Sequence, residues 1–280
     1  LKNVIKEELR KIRREYGVAR KTEIREQIED IKIDNTSMLP KEDVIVAITK
    51  DGYVKRVSLR SYNANDETGL KENDYIIGLY NINTLNVILV FTDLGNYLYL
   101  PVYEIPEAKW KDFGKHLSNI IGMQENEKII GAMPVYDFDE DRYIVSFTKN
   151  GMVKRTKLSD FKVQRYTKEI NMMNLKDEDR VINVDYSNLS EVFVATKNGY
   201  GLWYSTNEIS VVGIRASGVK SINLKNDEVV SSYLFSPSEE YITVITDKGT
   251  GKRLKLTEID KTTRGNRGLL LMKEIKSNPS

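Results

Sequence analysis

The chain contains no cysteine and a single histidine, His116. Without cysteine there is no disulfide scaffold, zinc ribbon, thiol nucleophile or thiolate cluster. With one histidine, a Ser-His-Asp triad would have to use His116, and a metal site could draw on only one imidazole. Long apolar runs are missing too. The longest, Val87-Ile88-Leu89-Val90-Phe91, falls far short of the roughly 20 residues a membrane-spanning helix needs. Net charge is also close to absent: 43 Lys+Arg against 41 Asp+Glu leave +2 over 280 residues, which excludes a strongly basic histone-like protein and an acidic solvating tail. What remains is 40% apolar and 30% charged, a globular composition rather than a disordered one. The length allows one large domain or two ordinary ones. The chain opens directly on Leu1-Lys2-Asn3-Val4 with no signal-type apolar stretch, and reads as a cytoplasmic piece of a longer protein.

The first segment differs from the rest. Leu1, Ile5, Leu9, Ile12 and Tyr16 recur at spacings of 4, 4, 3 and 4, one stripe of a helix, with Gly17 in the position of a C-cap. The stripe suits either a surface helix or the end of a longer one. A polar connector follows, from Arg20-Lys21-Thr22 to Thr36-Ser37. Residues 1–37 are therefore expected to be a helix and connector, and residues 38–280 a separate domain.

From Met38 onward the chain repeats itself. A β-type run, Thr-x-x-Gly and a second β-type run occur five times, at Thr49, Thr92, Thr148, Thr196 and Thr246. The glycines of this marker, Gly52, Gly95, Gly151, Gly199 and Gly249, stand 43, 56, 48 and 50 residues apart. Asp-Gly or Asn-Gly between β-branched runs is a hairpin signal, because the turn needs residues tolerant of positive φ. A second marker follows in phase: Leu70-Lys71-Glu72-Asn73-Asp74, Met123-Gln124-Glu125-Asn126-Glu127, Leu175-Lys176-Asp177-Glu178-Asp179 and Leu224-Lys225-Asn226-Asp227. About four strands in roughly 50 residues is the size of one blade of a radial β-sheet array. The pattern predicts an all-β, five-bladed propeller-like fold, its last blade without a clear fourth strand.

Charge alternates within the repeat. Residues 145–171 hold seven basic and two acidic residues, residues 172–192 two basic and five acidic, and residues 246–276 nine basic and four acidic. Radial repetition would gather the basic segments into a rim track suited to a polyanion. Residues 88–124 break the pattern, with three basic and four acidic residues. There Leu98-Tyr99 replaces the Lys-Arg of the hairpin, and Leu202-Trp203 does so in the fourth unit. The first, third and fifth blades are therefore expected to dominate any nucleic-acid contact. The competing reading is that these cations merely keep exposed strands soluble.

Little else suggests chemistry. Asp137-Phe138-Asp139-Glu140-Asp141 has carboxylates on alternate residues, as a magnesium site would, but it falls in a recurring inter-strand turn. Arg264-Gly265-Asn266-Arg267-Gly268 lacks the Lys-Ser/Thr ending of a phosphate-binding P-loop, and suits a flexible phosphate-contacting loop. His116 is expected in a loop. No catalytic residue and no metal or cofactor site is assigned to this chain.

The Thr-x-x-Gly-x-x-Lys-Arg hairpins at 49–56, 148–155 and 246–253 resemble the repeat of the C-terminal domain of the A subunits of bacterial type IIA topoisomerases, the DNA gyrase and topoisomerase IV family. So do Gly218-Val219-Lys220-Ser221-Ile222-Asn223-Leu224-Lys225, the leading helix Val4-Ile5-Lys6-Glu7-Glu8-Leu9 and the segment Arg20-Lys21-Thr22-Glu23-Ile24. The resemblance implies a β-pinwheel whose blades exchange strands, preceded by the end of the breakage-reunion core. It implies non-catalytic binding and bending of duplex DNA, to present a segment for strand passage in decatenation and supercoil relaxation. It also implies a parent that uses ATP and Mg, whose partners are an ATPase B subunit, a second copy of the A subunit, and duplex DNA. The implied location is cytoplasmic and nucleoid-associated, without membrane contact. Gyrase members carry a Gln-Arg-Arg-Gly-Gly-Lys-Gly box after the first hairpin. The corresponding stretch here, Tyr62 to Leu70, is acidic and keeps one glycine, which argues for the topoisomerase IV branch. A gyrase-type wrapping domain and a protein-interaction propeller are the alternatives. The expected DNA contacts are Lys55, Arg56, Lys154, Arg155, Lys157, Arg165, Arg215, Lys220, Lys252, Arg253, Arg264 and Arg267.

Overall fold

The computed structural model describes residues 1–19, 39–64, 66–176 and 178–272. The chain divides between Met38 and Leu39 into two units. In the first, Lys2–Tyr16 form an α-helix with Val4, Ile5, Leu9, Ile12 and Tyr16 exposed along one stripe. Gly17 ends it in an extended conformation, its N–H donating to the Arg13 carbonyl at 3.0 Å, rather than in the left-handed form of a glycine C-cap. The connector expected at Arg20–Ser37 lies outside the described residues.

The second unit is built from the five hairpins. Their strands are Asp43–Thr49 with Tyr53–Ser58, Val87–Thr92 with Asn96–Pro101, Tyr143–Thr148 with Met152–Lys157, Glu191–Thr196 with Tyr200–Ser205, and Tyr241–Ile245 with Gly251–Lys255. The two sequence markers meet at each of the first four turns. In the third hairpin Thr148 Oγ1 accepts the Met152 N–H (3.0 Å), and the Gly151 N–H returns to the Thr148 carbonyl (3.1 Å). Gly151 takes φ +79°, the left-handed residue that closes a three-residue hairpin loop. Asp179 of the second marker accepts the N–H of Asn150 on this turn at 2.8 Å, as Asp74 does for Asp51 and Asp227 for Asn198. The acidic marker is thus a clasp on the hairpin, which is why the two markers recur in phase.

After its clasp, each of the first four units adds an inner strand antiparallel to its first hairpin strand: Ile76–Asn83, Ile129–Val135, Val181–Asp185 and Val229–Phe235. Successive inner strands lie beside one another. The opposite edge of each sheet is completed by the next unit. Lys115–His116 pairs with the first hairpin, Ile170–Asn171 with the second, Val219–Lys220 with the third and Leu269–Leu270 with the fourth. His116 therefore belongs to an exchanged strand, not to a loop as expected; its ring bonds Ser118 Oγ (2.7 Å) and the Asp51 carbonyl (3.0 Å). Four sheets have four strands, and the fifth has two among the described residues.

Alternation along the strands buries both faces of the interior sheets. Val145, Phe147 and Val153 pack with Val192, Val194 and Leu202 between the third and fourth sheets. Ile144, Leu158 and Phe161 pack with Leu89, Phe91 and Tyr97 between the second and third. Each fully buried side chain of this size stabilises the fold by about 1.5–3 kcal/mol. The end sheets differ. The first covers its outer face with Trp110, sent back from the second unit onto Ile45, Ala47 and Val57. The fifth uses Ile242, Leu254 and Leu256 against the fourth and leaves Tyr241 and Ile245 exposed on its other face. Among the described residues no apolar cluster joins the fifth sheet to the first.

Candidate nucleic-acid interface

The Lys-Arg pair of the hairpin sits on a strand, so its two side chains leave on opposite faces. That separates their roles. Lys55 is buried, 1% exposed, and donates to Thr68 Oγ1 (2.7 Å) and to the carbonyls of Gly69 (3.3 Å), Trp110 (2.5 Å) and Asp112 (2.8 Å). Its ammonium also lies 4.6 Å from the centre of the Trp110 ring. Burial pushes its pKa down, partly countered by Asp112. Lys154 is buried to the same degree and donates to the Met172 carbonyl. Burial lowers its pKa to about 8, against the opposing pull of Asp160. Both lysines hold loops onto the hairpin from inside the fold, and neither offers its charge to a ligand. Lys252, in the same motif position, is exposed, and among the described residues its head group has no hydrogen bond or ion pair and no later segment crosses the fifth hairpin there.

Buried Lys154 makes the stability of the fold depend on pH. Its folded pKa lies below that of an unfolded lysine, about 10.4, so between pH 8 and 10 the unfolded chain binds more protons. Stability contributed by this group therefore rises with pH across that window. Melting temperatures of wild type and Lys154→Met, measured from pH 7 to 10, are expected to show wild type gaining on the variant; parallel curves would contradict the assignment.

The arginines face outward but are not equivalent. Arg155 is half-buried, with its guanidinium 3.9 Å from the centre of the Tyr143 ring and Nη1 3.4 Å from the Thr206 carbonyl. Arg253 is exposed and stacks on Tyr241 at 4.1 Å; Arg267 stacks on Tyr200 at 4.1 Å. Arg56 is half-buried, its backbone bonded to Pro106 and Ala108 of the next unit. Arg264 is tied down: Nε donates to the Glu208 carbonyl (3.1 Å), Nη1 to the Lys220 carbonyl, and its N–H to Glu208 Oε2 (2.7 Å). The loop 264–268 is thus anchored rather than free. Lys157, Arg165, Arg215 and Lys220 are exposed or half-exposed, and none of their head groups is hydrogen-bonded or ion-paired among the described residues. Arg215 stands at φ +71°, with its N–H on the Met172 carbonyl at 2.9 Å.

The second hairpin presents no such charge, and the fourth has none of its own at the Lys-Arg position, only Arg267 laid over Tyr200 from the loop 264–268. Tyr99 packs against Phe138 and Tyr166, with ring centres 5.7 and 5.3 Å apart. Trp203 donates Nε1 to Glu191 (2.7 Å), and Lys261 neutralises that carboxylate at 2.7 Å. The Asp137–Asp141 stretch forms a turn in which Asp137 accepts the Asp139 N–H (2.9 Å) and Glu140 pairs with Arg142 (3.1 Å). Among the described residues there is no cluster of three metal-binding side chains, and no helix is long and apolar enough to cross a membrane.

The class defined by these exchanged four-stranded sheets is matched by a family model. The model described as "DNA gyrase C-terminal domain, beta-propeller" aligns with residues 43–66, 86–135, 142–188, 190–234 and 240–278, so each segment falls within one repeat or its junction with the next. The chain belongs to this family. It is 44% identical over its whole length to the A subunit of DNA topoisomerase 4 from Bacillus subtilis, and 39% identical over 99% of its length to the one from Staphylococcus epidermidis. It spans 35% of the length of each of these relatives. A crystal structure of the C-terminal domain of DNA topoisomerase IV superposes with a TM-score of 0.82 at 47% identity, covering 86% of this chain and 76% of that one. A DNA gyrase A C-terminal domain shares the fold, with a TM-score of 0.59 at 23% identity, covering 81% of this chain and 76% of that one.

Proposed function

We propose that this chain is the DNA-binding, DNA-bending domain of a topoisomerase IV A subunit. The observation that carries the reading is 44% identity along the whole of this chain to a topoisomerase 4 A subunit, joined to exposed and half-buried cations on the hairpins and exchange loops. The cations proposed to meet phosphates are Arg56, Arg155, Lys157, Arg165, Arg215, Lys220, Lys252, Arg253 and Arg267. Lys55 and Lys154 leave the set expected from the sequence because their ammonium groups are buried and used, and Arg264 leaves it because its guanidinium is held by carbonyls. Strands and loops offer no groove-reading helix, so contacts run to the backbone and are independent of sequence. Bending a few tens of base pairs costs about 1–6 kcal/mol, which several phosphate contacts must offset.

In the parent enzyme the bent duplex would be presented to the cleavage core for strand passage, in decatenation and supercoil relaxation. On this reading, ATP turnover by a B subunit, magnesium-dependent cleavage and pairing with a second A subunit belong to the rest of the assembly. The location would be cytoplasmic and nucleoid-associated. The acidic Tyr62–Leu70 stretch supports this reading over gyrase-type wrapping.

Fluorescence anisotropy of a labelled duplex over a salt series tests the proposal. With about six phosphates neutralised, log K is expected to fall with log salt at a slope near −5. A flat salt response would discard DNA binding in favour of a protein-docking propeller.

A further inference from the structure

The third and fifth hairpins carry the same three side chains in the same register. Tyr143 stands opposite Lys157, and Arg155 is two pairs further along; Tyr241 stands opposite Lys255, and Arg253 is again two pairs along. In both, the guanidinium lies over the tyrosine ring, at 3.9 and 4.1 Å. No other hairpin repeats the set. The tyrosine position holds Val44, Val87 and Glu191, the arginine position Arg56, Tyr99 and Trp203, and the lysine position Ser58, Pro101 and Ser205.

We infer that these two Tyr-Arg-Lys sets are the phosphate clamps of the domain, and that the duplex is held at two separate points, on the third and fifth blades. The inference rests on the DNA-binding reading and narrows it. A guanidinium held over an aromatic ring has lost much of its rotamer freedom before a ligand arrives, and its planar fork of N–H donors suits two oxygens of one phosphodiester. In the third blade, Nη1 spends one donor on the Thr206 carbonyl and so fixes that plane. Lys157 and Lys255, both exposed, stand across the hairpin from each tyrosine and add charge beside the fork. In the fourth blade between them Trp203 holds the arginine position and the Lys261–Glu191 pair is neutral, so its one contact is Arg267, placed over Tyr200 by the loop 264–268. Tyr143 and Tyr241 are positioning residues: they touch the arginine, not the phosphate.

The test uses this chain with a labelled duplex of about 40 base pairs across a salt series. Arg155→Gln and Arg253→Gln are expected to weaken binding about tenfold each and to flatten the salt slope by about one, because a phosphate contact is lost. Tyr143→Leu and Tyr241→Leu are expected to weaken binding about three- to tenfold at an unchanged slope, because the charge stays while its orientation is lost. Tyr143→Phe and Tyr241→Phe restore wild-type affinity. Thermal midpoints monitor folding, and exposed Tyr241 supplies the variant least able to disturb the core. Tyrosine-to-leucine variants that bind as wild type does would overturn the clamps. So would a control outside both sets, Lys109→Gln with Lys111→Gln beside Trp110 on the first sheet, that loses as much as either arginine variant. A wild-type chain with no salt-dependent DNA affinity would instead remove the DNA-binding reading itself.

Discussion

Replacing Lys55 by alanine is expected to destabilise the repeat unit by about 3 kcal/mol, whereas the same replacement at Lys252 is expected to leave stability unchanged and weaken DNA binding. The two lysines occupy one motif position. Around Lys55, four acceptors from two loops converge on one ammonium, and the Trp110 ring closes over it. Deleting the charged donor loses all four bonds at once, each bond to a charged group being worth about 1.5–3 kcal/mol, while the Trp110 carbonyl keeps the Gly69 N–H and the Thr68 hydroxyl and so softens the loss. In a unit of this size, about 3 kcal/mol lowers the melting temperature by about 6–12 °C. At Lys252 nothing is left unpaired, because the head group already faces solvent. There the expected change is a salt slope flatter by about one, with an unaltered melt. Calorimetry and anisotropy on the two variants separate the roles. A Lys55→Ala chain that melts with wild type would show that the buried ammonium is not a clasp.

Gly218→Ala is expected to be at least as damaging, through a different mechanism. Gly218 precedes the exchanged strand Val219–Lys220 and lies against the third hairpin. Its φ is +79°, and an added Cβ would fall 2.3 Å from the Val153 carbonyl oxygen. That oxygen is backbone at a buried position of a paired strand and cannot move aside. The strained φ and the contact together cost about 3 kcal/mol or more, by opening the exchanged strand from the sheet it completes. Gly114 and Gly268 hold the corresponding places at φ +84° and +83°, with added Cβ atoms 2.4 and 2.2 Å from carbonyl oxygens. Hydrogen exchange on the third sheet would read the effect directly, as faster exchange at Val153 and its neighbours. Protection equal to wild type would mean that the exchanged strand does not depend on the close approach.

The hairpins were legible because turn chemistry is local. A threonine hydroxyl, a glycine at positive φ and an aspartate clasp all act within one unit, so each leaves a residue type at a fixed spacing. The exchanged strands could not be located the same way. They are two residues long, too short for a periodicity, and their partners lie in the preceding sheet. The signal available was the glycine before each of three of them, Gly114, Gly218 and Gly268, which stands off the main repeat marker. The site was legible in composition and misleading in detail. Lys-Arg reads as a doubly charged patch, but the pleat sends one side chain inward, and only the crossing of a later loop decides whether that lysine is buried. The Tyr-Arg sets escape a linear reading because the two residues are twelve apart in sequence and meet diagonally across a hairpin.

That this protein is a series of similar hairpin units is written in the order of its residues, since each unit's turns and alternating strands follow from short-range sterics and hydrogen bonding. Which cations face solvent depends on the assembled fold. A strand's outer edge is covered or open according to whether the next unit reaches back over it, and that depends on contacts between segments some 60 residues apart.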